Sequence, residues 1–274
     1  MSYQRILTIQ DISCVGQCSL TVALPILSAC GLETCVLPSA VLSSHTGGFQ
    51  NPRIRDLTED MPRIAEHWKR EGITFDGIST GYLGSVRQIE YVKQILSSLT
   101  APGGRIVVDP AMADHGKLYR GFDENFVGAM KRLCAGADVI IPNMTEACLL
   151  TDTPYRETGG EELAEKLHDL GTGRVIITGY SRDPDSTGIL VSDHGTMETY
   201  SHRKIPRSYH GTGDIFAAAF MGAWMRGKSL FEAGEIAADF TARCIENTYR
   251  NPAHWYGVKF ETALPELLEA FRSR

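Results

Sequence analysis

Nothing in the 274 residues approaches the roughly 20 consecutive apolar positions that a membrane-spanning helix needs. Positive charge is not in excess either: 27 Lys and Arg stand against 33 Asp and Glu, a formal net charge of −6. That balance speaks against polyanionic partners, so neither nucleic acid nor an anionic membrane is expected. The cysteines do not make a disulfide framework. There are seven, an odd number, and Cys30, Cys35, Cys134, Cys148 and Cys244 lie in apolar runs, as in a reducing compartment. Cys14-x3-Cys18 and Cys30-x4-Cys35 lack the paired partners of a zinc site. A secretory leader is not expected, because residues 1–5 run directly into a strand pattern, and the expected location is cytoplasmic. Internal repeats, low-complexity tracts and linkers are missing, so a single domain over 1–274 is expected. A core of that size needs no disulfide or metal to hold it.

What is present is an alternation of short β-branched runs with amphipathic segments. Strands are predicted over 5–9, 35–41, 75–79, 105–109, 138–141 and 174–178. Helices are predicted over 18–30, 62–70, 85–99, 124–134 and 161–170. A hairpin over 187–191 and 197–201 turns at Asp193-His194-Gly195, and helices over 215–225, 230–249 and 261–272 follow. Runs such as Ile106-Val107-Val108 and Val139-Ile140-Ile141 are apolar on both faces. With helices between them, the solution is an α/β three-layer sandwich around a mostly parallel central sheet flanked by helices. In such sheets the site lies beyond the carboxyl ends of the strands.

The richest local signal is His210-Gly211-Thr212-Gly213-Asp214, which runs straight into the apolar segment 215–221. A glycine-rich turn opening a helix offers backbone N–H groups that have no internal partner, backed by the helix dipole. Phosphate is favoured there. Asp214 places a carboxylate at the same point, and the task that reconciles the two is accepting a proton from a hydroxyl that attacks phosphate. Polar groups also follow the predicted strands: Asp11; Ser43-Ser44-His45-Thr46-Gly47-Gly48; Thr80-Gly81-Tyr82; Asp109 through Asp114; Asn143 and Glu146; and Thr178. Each alone reads as a cap or loop residue. Together they put carboxylates at the edge that also carries the anion hole.

These motifs resemble the pyridoxal kinase branch of the ribokinase-like small-molecule kinases. The similarity rests on Thr80-Gly81-Tyr82-Leu83-Gly84-Ser85, on Asp109-Pro110-x-x-x-Asp114 with Leu118-Tyr119, on Pro142-Asn143-x-x-Glu146 and on Gly211-Thr212-Gly213-Asp214. They occur in the family's order and span nearly the whole chain. The resemblance implies ATP-dependent phosphorylation of the 5′-hydroxymethyl group of pyridoxal, pyridoxine or pyridoxamine. It implies Asp214 as catalytic base and Gly211, Thr212 and Gly213 as the anion hole. It implies Asp114, Asn143, Glu146 and Thr178 on the nucleotide side, with Asp114 and Glu146 towards Mg²⁺, a hard cation that prefers oxygen and keeps water. Asp11, His45, Thr46 and Tyr82 fall to the substrate ring, Tyr82 by stacking. A monovalent cation and a homodimer are further implications.

Asp11 stands where the family usually carries serine, so it either accepts from a substrate hydroxyl or pairs with a protonated nitrogen. Two alternatives stand beside the vitamin B6 reading: a hydroxymethylpyrimidine kinase of thiamin salvage, and a non-catalytic vitamin B6-binding protein. Gly222-x4-Gly227-Lys228-Ser229 matches a P-loop pattern, but it ends a predicted helix instead of following a strand. Gly227 then reads as a helix C-cap and Ser229-x-x-Glu232 as the capping box of the next helix. Polar, turn-rich stretches at 45–55 and 201–209 are the candidates for a lid.

Overall fold

A computed structural model describes residues 3–155, 159–251 and 253–271. In chain order the elements begin with β1 (Arg5–Ser13), α1 (Leu20–Ala29), β2 (Glu33–Leu42), β3 (Ile54–Asp56), α2 (Met61–Arg70), β4 (Phe75–Thr80) and α3 (Val86–Leu99). There follow β5 (Thr100–Val108), β6 (Ala113–Asp114), β7 (Lys117–Leu118), α4 (Glu124–Cys134), β8 (Val139–Ile140), α5 (Met144–Leu150) and α6 (Gly160–His168). The chain continues through β9 (Arg174–Tyr180), β10 (Ser186–Asp193), β11 (Thr196–Arg203), α7 (Thr212–Met225), α8 (Leu230–Tyr249) and α9 (Leu264–Ala270).

Among the described residues, nine strands form one sheet in the order β11-β10-β9-β8-β5-β4-β1-β2-β3. The strands from β9 to β2 are parallel, and β10, β11 and β3 add antiparallel edges. Alternate residues of the central strands enter different cores. Ile6, Val107, Val139 and Ile176 join the layer of α1, α7, α8 and α9. Leu7, Val108, Ile140 and Ile177 join the layer of α2 to α6. Burial on both faces is why these strands read as unbroken apolar runs. The chain passes from β1 to β2 on one side and then crosses to β4 on the other. The carboxyl ends of β1 and β4 therefore flank a topological switch point, where a crevice opens.

Local chemistry sets the helix starts. Ser85 accepts from Gln88 N–H at α3, and Asp123 accepts from Phe126 N–H at α4. Ser229 and Glu232 form the expected capping box at α8, and Gly227, with φ 91°, sits just past the end of α7. The P-loop pattern is therefore a helix end followed by a helix start.

Several boundaries depart from expectation. The Pro102-Gly103-Gly104 stretch lies inside β5, as a register jump between Thr100 opposite Phe75 and Arg105 opposite Gly77. α1 starts at Leu20, because Ser19 turns with φ 56°. The last predicted helix splits into a 3₁₀ turn (Phe260–Thr262) and α9, with Pro265 in the first turn of α9. Its expected end at Arg272 lies outside the described residues. The strands β3, β6 and β7 and the short helix α5 carry too few residues to show a period.

Candidate active site

α7 begins at Gly211, whose φ of 81° and tight surroundings both call for glycine. A Cβ there would lie 2.3 Å from Gln17 O. The first intrahelical bond runs from Ile215 N–H to Gly211 O, so the amides of Thr212, Gly213 and Asp214 have no acceptor within the helix. Gly213 is exposed and has only Asp109 Oδ2 nearby, 3.9 Å from where a Cβ would stand. The glycine turn at which anion binding is expected thus opens a helix and leaves three amides outside its hydrogen-bond ladder.

Asp214 occupies the third position of α7, and its Oδ2 accepts from Ser19 N–H at 2.9 Å. Burial pushes its carboxyl up to about 7; the Ser19 bond opposes the rise, and the charge of Asp11 adds to it. A carboxylate with that affinity for protons is matched to general-base work near neutral pH. A small cavity at the switch point brings Asp214 together with Asp109, Gln10, Thr80 and Gly81. Burial, then the charges of Glu146 and Asp214, hold Asp109 well above the usual carboxylate range. Gln10 Oε1 and Thr80 Oγ1 point into buried space without a partner.

Glu146 is buried, and its oxygens accept from three backbone amides: Met112 at 3.0 Å, Ala113 at 3.3 Å and Asn143 at 2.9 Å. Burial still drives its carboxyl up to about 7, against those amides. Asn143 caps α5 through Oδ1, which accepts from Thr145 and Glu146 N–H, and its Nδ2 donates to Ala113 O at 2.8 Å. Together they form a joint that ties the segment carrying Asp114 to α5. Asp114 itself is half exposed and accepts from His115 N–H at 2.7 Å. Thr178, half-buried on β9, bridges to Asn143, and its N–H donates to Pro142 O at 2.9 Å.

The residues expected on the substrate side spread over a wider arc. His45 is buried; its Nδ1 accepts from Gly47 N–H, and burial together with neighbouring His210 lowers its pKa to about 4. Thr46 beside it is exposed. Phe49 packs its ring against His45, Trp255 and Tyr256, so the loop around Phe49 rests on Trp255 and Tyr256. Tyr82 stacks on Phe122, which stacks on Phe126. Asp11 is only 4% exposed, and both its oxygens accept from serine hydroxyls.

Sequence reasoning passed over three contributors. Asp109 was visible at a strand end but was not singled out from its motif. Tyr119 is pushed up by burial and then by the charges of Glu146, Asp109, Asp114 and Asp214. Phe122 offered no signal, since a lone aromatic in a turn has no period.

Burial raises the carboxyls of Asp109, Glu146 and Asp214, with added repulsion from Glu146 and Asp214 at Asp109, from Asp114 at Glu146 and from Asp11 at Asp214. Asp114 and Glu146, the pair expected to face Mg²⁺, offer oxygen donors of the kind a hard divalent cation prefers. Among the described residues, no group of three or more His, Cys, Asp or Glu is arranged to hold a metal. Water and substrate oxygens would complete its shell. Also among the described residues, no helix is long and apolar enough to cross a membrane.

The sequence matches the family model for phosphomethylpyrimidine kinase over residues 27–258. Similar solved structures include a pyridoxal kinase from Lactobacillus plantarum, 35% identical, with 98% of each chain covered and a TM-score of 0.91. Another is a Bacteroides thetaiotaomicron protein, provisionally assigned as a phosphomethylpyrimidine kinase and crystallised with pyridoxal. It is 36% identical over 97% of this chain and 96% of that one, with a TM-score of 0.90. A hydroxymethylpyrimidine/phosphomethylpyrimidine kinase from Bacillus subtilis is 29% identical over 77% of each chain. A pyridoxal kinase from Rubrobacter xylanophilus is 28% identical over 91% of this chain and 89% of that one.

Proposed function

The chain belongs to the phosphomethylpyrimidine kinase family and is a kinase; on that premise we propose that it phosphorylates the 5′-hydroxymethyl group of a vitamin B6 vitamer with ATP. The observation that carries this reading is Asp214, a carboxyl raised to about 7, standing in the first turn of a helix whose free amides form an anion hole. Asp214 takes the hydroxymethyl proton as that oxygen bonds to the γ-phosphorus. The bond from that phosphorus to the β–γ bridging oxygen breaks, and ADP leaves with the electron pair. The amides of Thr212, Gly213 and Asp214 hold the charge on the transferring group, so catalysis is positioning and electrostatics more than covalent chemistry.

Asp114 and Glu146 are the residues that would hold Mg²⁺, through water, and the ion would neutralise phosphate charge. Asn143 and Thr178, which bridge each other, are assigned to the nucleotide side. Tyr82, backed by Phe122, offers a face for an aromatic ring. The B6 reading is favoured over a pyrimidine substrate because the pyridoxal kinase relatives match over nearly the full chain. The pyrimidine reading keeps support from the family match and from the Bacillus subtilis relative.

The test is a comparison of kcat/KM for pyridoxal, pyridoxine, pyridoxamine and hydroxymethylpyrimidine, each with ATP and Mg²⁺. A preference for the pyridines is expected. A preference for the pyrimidine overturns the substrate assignment. Tight vitamer binding with no turnover of any of the four overturns the kinase chemistry in favour of a binding protein.

A further inference from the structure

Asp11 ends the exposed-looking run after the first strand pattern, yet in the fold it is 4% exposed. Its Oδ2 accepts from Ser13 Oγ at 2.8 Å and its Oδ1 from Ser19 Oγ at 2.6 Å. Ser13 and Ser19 are themselves 1% and 5% exposed. The pairing is built, since Ile12 also bridges Ser19 across the turn.

Ser19 is an unusual helix cap. It precedes α1 with φ 56° and ψ −132°, a conformation that non-glycine residues resist, and its side chain makes no cap bond. The hydroxyl that would ordinarily cap the helix goes to Asp11 instead. Gly16 and Gln17 also have positive φ, so the turn is wound tightly just before Ser19. The winding aims the Ser19 amide at the base: Ser19 N–H donates to Asp214 Oδ2 at 2.9 Å.

We propose that Asp11 is a positioning residue for Asp214: by gripping the Ser19 hydroxyl it holds the Ser19 amide against Oδ2 of the base and reserves Oδ1 for the substrate hydroxyl. This rests on Asp214 being the base. It assigns Asp11 a task other than contact with the ring, and it accounts for a carboxylate buried against two hydroxyls. Asp11 acts on the base by charge as well. The charged or titratable groups that face Asp214 are Asp11 from β1, Cys18 from the turn before α1, Asp109 from the end of β5, and Tyr119.

The test is steady-state kinetics across pH with a vitamer and ATP, on Asp11→Ala, Asp11→Asn and the double variant Asp11→Ala/Ser19→Gly. Loss of the grip lets Ser19 leave its unfavourable φ, so Asp11→Ala is expected to lower kcat tenfold or more, with the vitamer KM within about twofold. Glycine adopts positive φ without steric cost, so the double variant is expected to regain most of that kcat. A raised KM with kcat unchanged places Asp11 on the substrate and overturns the proposal, and so does failure of the glycine to restore kcat. Should Asp11→Ala not fold, Asp11→Asn decides. Removing the charge is expected to move the acidic limb of kcat/KM to lower pH, and an unmoved limb overturns the coupling. A wild-type protein that turns over no hydroxymethyl pyridine or pyrimidine fails earlier, and takes the base assignment with it. An active wild type with the variant outcomes reversed removes Asp11 alone.

Discussion

Asp214 concentrates the chemistry at the scale of one residue. Replacing it with Asn keeps an oxygen for Ser19 N–H and removes the proton acceptor. The expected result is a loss of about 10²–10⁴-fold in kcat with native circular dichroism and little change in the KM for ATP. A variant with near-native kcat would remove the base assignment. In the wild type, kcat/KM is expected to rise as pH climbs through about 7, where the Asp214 carboxyl gives up its proton. A profile already flat from pH 5 would contradict a base of that proton affinity. How much of the site was legible divides at this scale. Asp214 and its glycines could be read because a turn feeding a helix is a local pattern. Asp11 was found but its partners were not, since Ser19 lies eight residues away across a turn whose positive φ no pattern announces. Tyr119 could be quoted as part of a motif with Asp109 and Asp114, but the charges of Glu146 and Asp214 that also act on it come from distant segments.

At the scale of elements, Glu146 is the main acceptor in the joint between β6 and α5, which Asn143 also ties through Ala113 O. Glu146→Ala leaves the amides of Met112, Ala113 and Asn143 without their acceptor. Each buried donor left unpaired costs about 1–3 kcal/mol, so a clear fall in Tm and a raised KM for ATP are expected together. Glu146→Gln, which keeps an oxygen, is expected to fall between this variant and wild type. A Tm equal to wild type in Glu146→Ala would mean the amides find other acceptors and the joint is not what orders the segment. Lys228→Ala addresses the opposite end of α7. The lysine follows a helix cap, far in the chain from the anion hole, so the KM for ATP is expected to stay within about twofold of wild type. A tenfold rise would revive the P-loop pattern. Helices with caps and strands buried on both faces were readable because period and capping are local. The Pro102-Gly103-Gly104 bulge was not, because a proline and two glycines announce a turn equally well whether a strand ends there or buckles. The edge strand β3 was hidden for a different reason: three exposed residues pair with β2 by backbone alone.

For the whole molecule, the acidic site sets a conflict between function and stability. The Asp214 and Glu146 carboxyls are both pushed to about 7, and Asp109 is also raised, each chiefly by burial. An unfolded chain gives these groups ordinary affinities near 4. Between those limits the folded state binds more protons than the unfolded one. Stability from this source is therefore full below about pH 4 and is lost as pH rises towards 7. The exposed acids Glu90, Asp123 and Glu161 are shifted the other way by their partners, and their contribution fades only as pH falls below the carboxylate range. Comparing Asp214→Asn with wild type isolates this carboxyl together with its repulsion of Asp109. From 3.8 to about 7 is about three units, which caps the gain at about 4 kcal/mol above pH 7. The variant is expected to melt several degrees above wild type at pH 8, with the gap narrowing by pH 5, in calorimetric scans at one fixed rate. Equal melting temperatures at both pH values would show that the fold bears no cost for keeping this carboxylate ionised. A gap of the expected sign would mean the enzyme gives up stability to hold a base at its working proton affinity, a trade found where active sites bury charge.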